Sequence, residues 1–310
     1  MKRVFIDGKA GTTGLRIYER LSDREDVTLI LLSDEERKDT EARRRALNGC
    51  DIAFLCLPDD AAREAVSLID NPDVVVIDAS TAHRTEAGWS YGFPELSADA
   101  EEKIRGSKRI ANPGCHASGF IALVYPLIEA GILPADALLS CHSITGYSGG
   151  GKKMIADYES EDRDVLLDYP RQYGISQAHK HLKEMKHVTG LDDAPVFSPI
   201  VSDFYSGMEV TVPLFAKNLN DGYTVDDVKE TLRKKYDGKI VKYVDVADDE
   251  GFLSAGKLAG KDSMIVTVYG NADRFILVAL YDNLGKGASG AAVECMNIVM
   301  GEAPEKGLVI

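Results

Sequence analysis

The first third of the chain alternates between short, continuous apolar runs and stretches whose apolar residues recur at helical spacing. The runs are "RVFID" (3–7), "VTLILLS" (27–33), "IAFLCLP" (52–58) and "VVVIDAS" (74–80), with "LRIYERLSD", a charged segment after residue 33 and "DAAREAVSLI" between them. Unbroken β-branched runs predict strands covered on both faces, as in a parallel sheet flanked by helices. Their order predicts an α/β, doubly wound, Rossmann-type domain. After the helical segment "SGFIALVYPLIEAG" the pattern changes: "ALLSCHSITG", "VFSPIVSDFY", "MEVTVPLFA", "SMIVTVYG" and "RFILVALYDNL" are longer and more alternating, with one strong helical stretch among them, "TVDDVKETLRKKY" (224–236). Such strands predict a second, α+β domain with a mainly antiparallel sheet covered on one face. The expected division is a dinucleotide-binding domain at 1–113, completed by a C-terminal helix within 287–310, and a substrate, catalytic and oligomerisation domain at 114–286.

Charge and composition narrow the partners. A formal charge of −14 argues against nucleic acid, whose phosphates need a basic surface. An anionic small ligand must then be met by a few placed Arg or Lys residues. There is no apolar run of roughly 18–20 residues to span a bilayer, and "MKRVFIDGKAG" enters a strand with no signal-peptide pattern. Five scattered cysteines form no disulfide framework. The expectation is a reduced cytoplasmic protein without metal. An open sheet face in the second domain predicts a homo-oligomer, dimer or tetramer.

Gly8, Gly11 and Gly14 form G-x-x-G-x-x-G between the first strand and first helix. Glycines there allow a tight turn and close approach of a pyrophosphate, and the helix start at Thr12 and Thr13 offers free N–H groups. The end of the second strand decides between cofactors. Ser33, with Arg37 or Lys38 nearby, suits the 2′-phosphate of NADP; Asp34 argues for NAD.

"ANPGCHASG" places Cys115 between a Pro-Gly turn and a helix. A helix N-terminus stabilises a thiolate, and its amides serve as an oxyanion hole. Cys50, Cys56, Cys141 and Cys295 sit in or beside apolar segments and read as packing residues. Cys115-His116 with Cys141-His142 lacks the spacing of a zinc site. A nucleophilic cysteine beside a dinucleotide points to a thioester reduced by hydride, which calls for a general acid/base. "QAHKHLKEMKH" offers His179, His181 and His187, with Glu184 three after His181. On a helix His179 and His181 would face different ways, so one alone would enter a site.

Together "GKAGTTGL", "DASTAHR", "YGFPEL", "NPGC", "GYSGGGKK", "HKH" with Glu184, and "DNLGKGASGAAVECMNIVMG" resemble the N-acetyl-γ-glutamyl-phosphate reductases of arginine biosynthesis in their shorter bacterial form, within the semialdehyde dehydrogenase superfamily. The resemblance implies that Cys115 is the nucleophile and His179 the acid/base, with His181 the fallback for that role. It implies that His181 and Glu184 position substrate or tune the base. The glycine-rich turn would bind NADP, with Asn283 and Gly287 closing over it. Ser148, Gly149 and Lys152 or Lys153, and Arg84, would meet the acyl-phosphate substrate. The chain departs from the family in "HAS" after the cysteine, where an aromatic residue is usual; His116 would perturb Cys115 or fill space. Alternatives are a sister reductase of another acyl phosphate, of the aspartate-semialdehyde or lysine-pathway type, and a non-catalytic dinucleotide sensor with an unreactive Cys115.

Overall fold

The structure, a computed structural model, describes all 310 residues. The chain forms two compact units, Met1–Gly114 with Ala288–Leu308, and Cys115–Gly287 with Val309–Ile310.

The first unit holds a six-stranded parallel sheet: β1 (Lys2–Asp7), β2 (Val27–Ile30), β3 (Ile52–Leu55), β4 (Val75–Asp78), β5 (Ser90–Tyr91) and β6 (Arg109–Ala111), in the order β2-β1-β3-β4-β6-β5. Four helices lie between these strands, namely α1 (Thr12–Leu21), α2 (Thr40–Gly49), α3 (Asp59–Ser67) and α4 (Ala100–Gly106). Successive strand residues point to opposite faces, and both faces are covered. Val4, Ile6, Phe54 and Ile77 pack with Ile17 and Leu21 of α1. Phe5, Ala53, Leu55 and Val76 pack with Leu47 of α2 and Ala62 of α3. This double burial is why the runs read as unbroken. The strand predicted to Ser33 ends at Ile30, because Ser33 is drawn into a short turn. β5 and β6, two and three residues long, are too brief for periodicity to reveal.

The second unit begins with α5 (Cys115–Glu129) and carries β7 (Ser140–Gly146), α6 (Gly151–Glu159), β8 (Arg171–Gln172), α7 (His181–Thr189), β9 (Val196–Ser202), β10 (Met208–Phe215), α8 (Val225–Lys235), β11 (Val241–Tyr243), β12 (Met264–Gly270) and β13 (Arg274–Tyr281). The sheet order is β11-β12-β13-β10-β7-β9-β8. Pairing is antiparallel except for β11–β12 and β7–β9. β10 shows the expected alternation: Val210, Val212 and Leu214 are buried, Pro213 and Phe215 exposed. The hydrophobic pattern does not predict α6 and α7. Each is nine residues long and mostly polar, so its apolar period spans barely two turns. The last helix, α9 (Gly290–Met300), belongs to the first unit, where Val293 and Met296 join the α1 side of the core. No helix is long and apolar enough to cross a membrane.

Candidate active site

In the first unit the sheet order reverses between β1 and β3, the place where open α/β sheets receive ligands. The glycine-rich turn lies there. Gly8 has φ +85°, and a Cβ on it would stand 2.3 Å from the Cys56 carbonyl oxygen. A Cβ on Gly14 would stand 2.6 Å from the Gly8 carbonyl oxygen. Gly11 N–H donates to that oxygen at 2.9 Å, closing the turn. No side chain caps the start of α1 at Thr12 and Thr13, which leaves its amides to a ligand. Beside the turn is a cavity of about 430 Å³ lined by Gly8, Asp34, Arg37, Lys38, Arg43 and Leu57, among others. Arg37 pairs with Asp34 there. The Ser33 hydroxyl accepts from Glu36 N–H at 3.2 Å, and the Glu36 carboxylate accepts from Ser33 N–H at 2.8 Å. Ser33 is thus engaged in a reciprocal cap. Arg43, anchored on Asp7 at 2.9 Å, is a cavity cation that sequence reading missed; its place on α2 gave no local signal.

Arg84, which the resemblance assigned to substrate, is buried and donates to the carbonyls of Asn112 at 2.9 Å and Ala79 at 3.0 Å. It ties down the backbone leading to Cys115. Asp78 in the same "DASTAHR" stretch accepts from Ser80 and pairs with His83, whose ring stacks on Trp89.

Cys115 opens α5 and is half-buried. The Tyr281 hydroxyl donates to its carbonyl at 2.5 Å and accepts from Gly119 N–H at 3.1 Å, pinning the first turn. A Cβ on Gly287 would come within 3.2 Å of the Cys115 Cβ. Burial pushes the Cys50 thiol up to about 12 and the Cys56 and Cys141 thiols higher still. Those thiols are inert at neutral pH.

Three histidines converge beside this helix start. The rings of His116 and His181 lie 5.6 Å apart, those of His116 and His179 5.9 Å, and those of His179 and His181 4.8 Å. The expectation that only one of His179 and His181 enters the site is corrected. α7 begins at His181, so His179 precedes the helix and helical geometry does not separate them. His179 Nδ1 accepts from His181 N–H at 3.3 Å, which leaves Nε2 to carry the proton of the neutral ring. Burial, then the Lys180 charge, lowers the pKa of His179. His181 and Glu184 are buried on α7, whereas His187 is exposed.

His116 is buried and hydrogen-bonded through both ring nitrogens. Its Nδ1 meets Ser143 Oγ and its Nε2 meets Tyr173 Oη, each at 2.6 Å. Ser143 and Tyr173 were missed, since they come from β7 and the loop after β8 and carry no motif. The Ser148 hydroxyl accepts from Asn283 Nδ2 at 3.0 Å, while Asn283 Oδ1 accepts from Gly207 N–H at 2.9 Å. Gly149 faces the same Asn283 carboxamide, and Lys152 is exposed on the first turn of α6.

Family models match both units: "Semialdehyde dehydrogenase, NAD binding domain" over residues 3–104, and "Semialdehyde dehydrogenase, dimerisation domain" over 115–283. The chain belongs to the semialdehyde dehydrogenase family. Within this family it is 45% identical over 320 residues to N-acetyl-gamma-glutamyl-phosphate reductase 2 of a Nostoc species, covering 99% of each chain. It is 46% identical over 305 residues to N-acetyl-gamma-glutamyl-phosphate reductase of Allorhizobium ampelinum, covering 96% of this chain and 98% of that one. Among solved semialdehyde dehydrogenases, aspartate semialdehyde dehydrogenase II of Vibrio cholerae aligns with a TM-score of 0.73 over 97% of this chain and 98% of that one, at 18% identity. The enzyme of Francisella tularensis aligns at 0.72 over 97% and 100%, at 14% identity. At such identity these two speak for the fold alone.

Proposed function

We propose that this semialdehyde dehydrogenase reduces N-acetyl-γ-glutamyl phosphate to N-acetylglutamate semialdehyde with release of phosphate, in arginine biosynthesis. The observation that carries the chemistry is a half-buried cysteine at the first turn of a 15-residue helix, beside a cluster of histidines. Near-full-length identity to relatives called reductases of that acyl phosphate supports the substrate.

The Cys115 thiolate, favoured by the α5 N-terminus, attacks the acyl carbon. The C–O bond to phosphate breaks, phosphate leaves, and a thioester to Cys115 remains. Amides of the first α5 turn face the charge that develops on the acyl oxygen. The imidazolium form of His179 supplies the proton from Nε2 as the C–S bond breaks and sulfur departs, leaving a neutral ring; His181 is the alternative donor. The residues fit a nicotinamide dinucleotide: Gly8 and Gly14 leave room that a Cβ would fill, α1 offers uncapped amides, and Arg37, Lys38 and Arg43 line the adjoining cavity. When bound, the dinucleotide supplies the hydride that converts thioester to aldehyde. NADP is our choice because those three cations suit a 2′-phosphate in an otherwise acidic protein. Ser148, Gly149, Lys152 and Arg84 remain our candidates for the acyl phosphate, and Asn283 and Gly287 for the cofactor. Five free cysteines support a reducing, cytoplasmic setting.

The test is the phosphate-dependent oxidation of N-acetylglutamate semialdehyde, with NADP and NAD compared and other semialdehydes as a panel. Turnover by the wild type, and a loss of about 10⁴-fold or more in Cys115→Ala, are expected. An inactive wild type, a preference for aspartate semialdehyde, or an active Cys115→Ala overturns the reading.

A further inference from the structure

Ser143 is fully buried, and its hydroxyl has one hydrogen-bond partner, His116 Nδ1 at 2.6 Å. A buried hydroxyl whose proton finds no acceptor is costly, so Ser143 donates to Nδ1. His116 is itself buried among the rings of His179, His181 and Phe197, where its neutral form is favoured. A neutral imidazole with Nδ1 as acceptor carries its proton on Nε2. Nε2–H therefore donates to Tyr173 Oη at 2.6 Å. The phenolic proton of Tyr173 is left with no acceptor in the protein, on a ring that is only half-buried and lies 5.9 Å from the His179 ring.

Resting on the reaction proposed above, we infer that Ser143, His116 and Tyr173 form a one-way hydrogen-bond relay whose final donor, the Tyr173 hydroxyl, meets the acyl oxygen of the group carried by Cys115. Tyr173 is then a catalytic residue, and His116 and Ser143 are positioning residues. Three observations converge on that oxygen. The Tyr173 ring lies 5.9 Å from that of His179, the proposed proton donor, so its hydroxyl belongs to the cluster beside the start of α5. Burial, with the Cys115 charge adding to it, keeps Tyr173 protonated and so able to donate. The acyl oxygen sits on the carbon bonded to that sulfur, and it gains negative charge both as phosphate leaves and as hydride arrives. A neutral, fixed donor stabilises that charge without reorganising.

Two measurements test the relay. Long-range nitrogen–proton NMR of the full chain labelled with ¹⁵N-histidine reads the His116 tautomer near pH 7 without any substrate. The Nε2–H form is expected, and the Nδ1–H form overturns the relay. In the semialdehyde assay, Tyr173→Phe is expected to lower kcat by about 30- to 300-fold with KM within about threefold. His116→Leu should do the same by about tenfold or more, while His116→Gln, whose amide offers both an acceptor and a donor, loses markedly less. Unchanged kcat in Tyr173→Phe, an effect confined to KM, or equal losses in the two His116 variants overturns the inference. An inactive wild type is a failure of the proposed substrate, and the tautomer alone then upholds or overturns the relay. Should Tyr173→Phe not fold, the contrast between the His116 variants decides.

Discussion

Burial drives His116 from its ordinary value of 6.5 down to about 3, with the charges of His179 and Lys180 adding to the effect. Between those limits the unfolded chain binds a proton that the folded chain refuses. Stability is therefore fully present above about pH 6.5 and falls as pH drops towards 3, at up to about 1.4 kcal/mol per pH unit from this group. Urea titrations at pH 7 and pH 5 check this. The wild type should lose about 2 kcal/mol through His116 over that interval, and His116→Gln should remove that part of the loss. At the same scale, "HAS" after the nucleophile marked a departure but not its consequence. A histidine's protonation state depends on what surrounds it, and His116 is surrounded by residues 27 and 57 positions away.

The first turn of α5 shows how an element holds a reactive group. The Tyr281 hydroxyl bridges the Cys115 carbonyl and the Gly119 N–H. A Cβ on residue 119 would lie 2.7 Å from that hydroxyl oxygen and from Val210, so glycine there is what lets β13 and β10 approach the helix so closely. Tyr281→Phe removes both hydrogen bonds of that bridge, at a cost of about 0.5–1.5 kcal/mol each. It should also slow iodoacetamide alkylation of Cys115 several-fold; a rate and melting temperature equal to wild type would remove Tyr281 from this role. Elements also separate what periodicity can and cannot reveal. α8 was expected at 224–236 and occupies Val225–Lys235, with Thr224 and Asp227 in reciprocal capping bonds. The short turn at Glu36–Lys38 cut β2 back from Ser33, because a cap spanning three residues competes with strand continuation.

For the whole molecule, the second sheet leaves an apolar depression of about 740 Å³ where Leu138, Pro213, Phe215, Arg274 and Ile276 meet. Leu138 is 78% and Phe215 54% exposed, an unusual cost for large apolar side chains in water. The matching family model is named for dimerisation, and we expect a second copy of the chain to cover this face. Sedimentation velocity at micromolar concentration should show a dimer or larger for the wild type and a shift towards monomer for Phe215→Asp; a monomeric wild type excludes it. Net charge belongs to this scale too. Against −14 overall, Arg37, Lys38 and Arg43 gather at one cavity, so ionic strength should weaken NADP binding more than NAD binding.

The amino-acid sequence by itself determined the parallel sheet, the glycine-rich turn after β1 and the cysteine at a helix start. Each of these is written in neighbouring residues: a run buried on both faces, a positive φ at Gly8, a Pro-Gly turn before an apolar helix. Only the tertiary structure decided that His179 and His181 share one cluster with His116, that Arg84 is bonded to the carbonyls of Asn112 and Ala79, and that Ser143 and Tyr173 hold His116 between them. Burial and hydrogen-bond partnership are set by residues brought together from separate elements, and spacing along the chain carries no record of them.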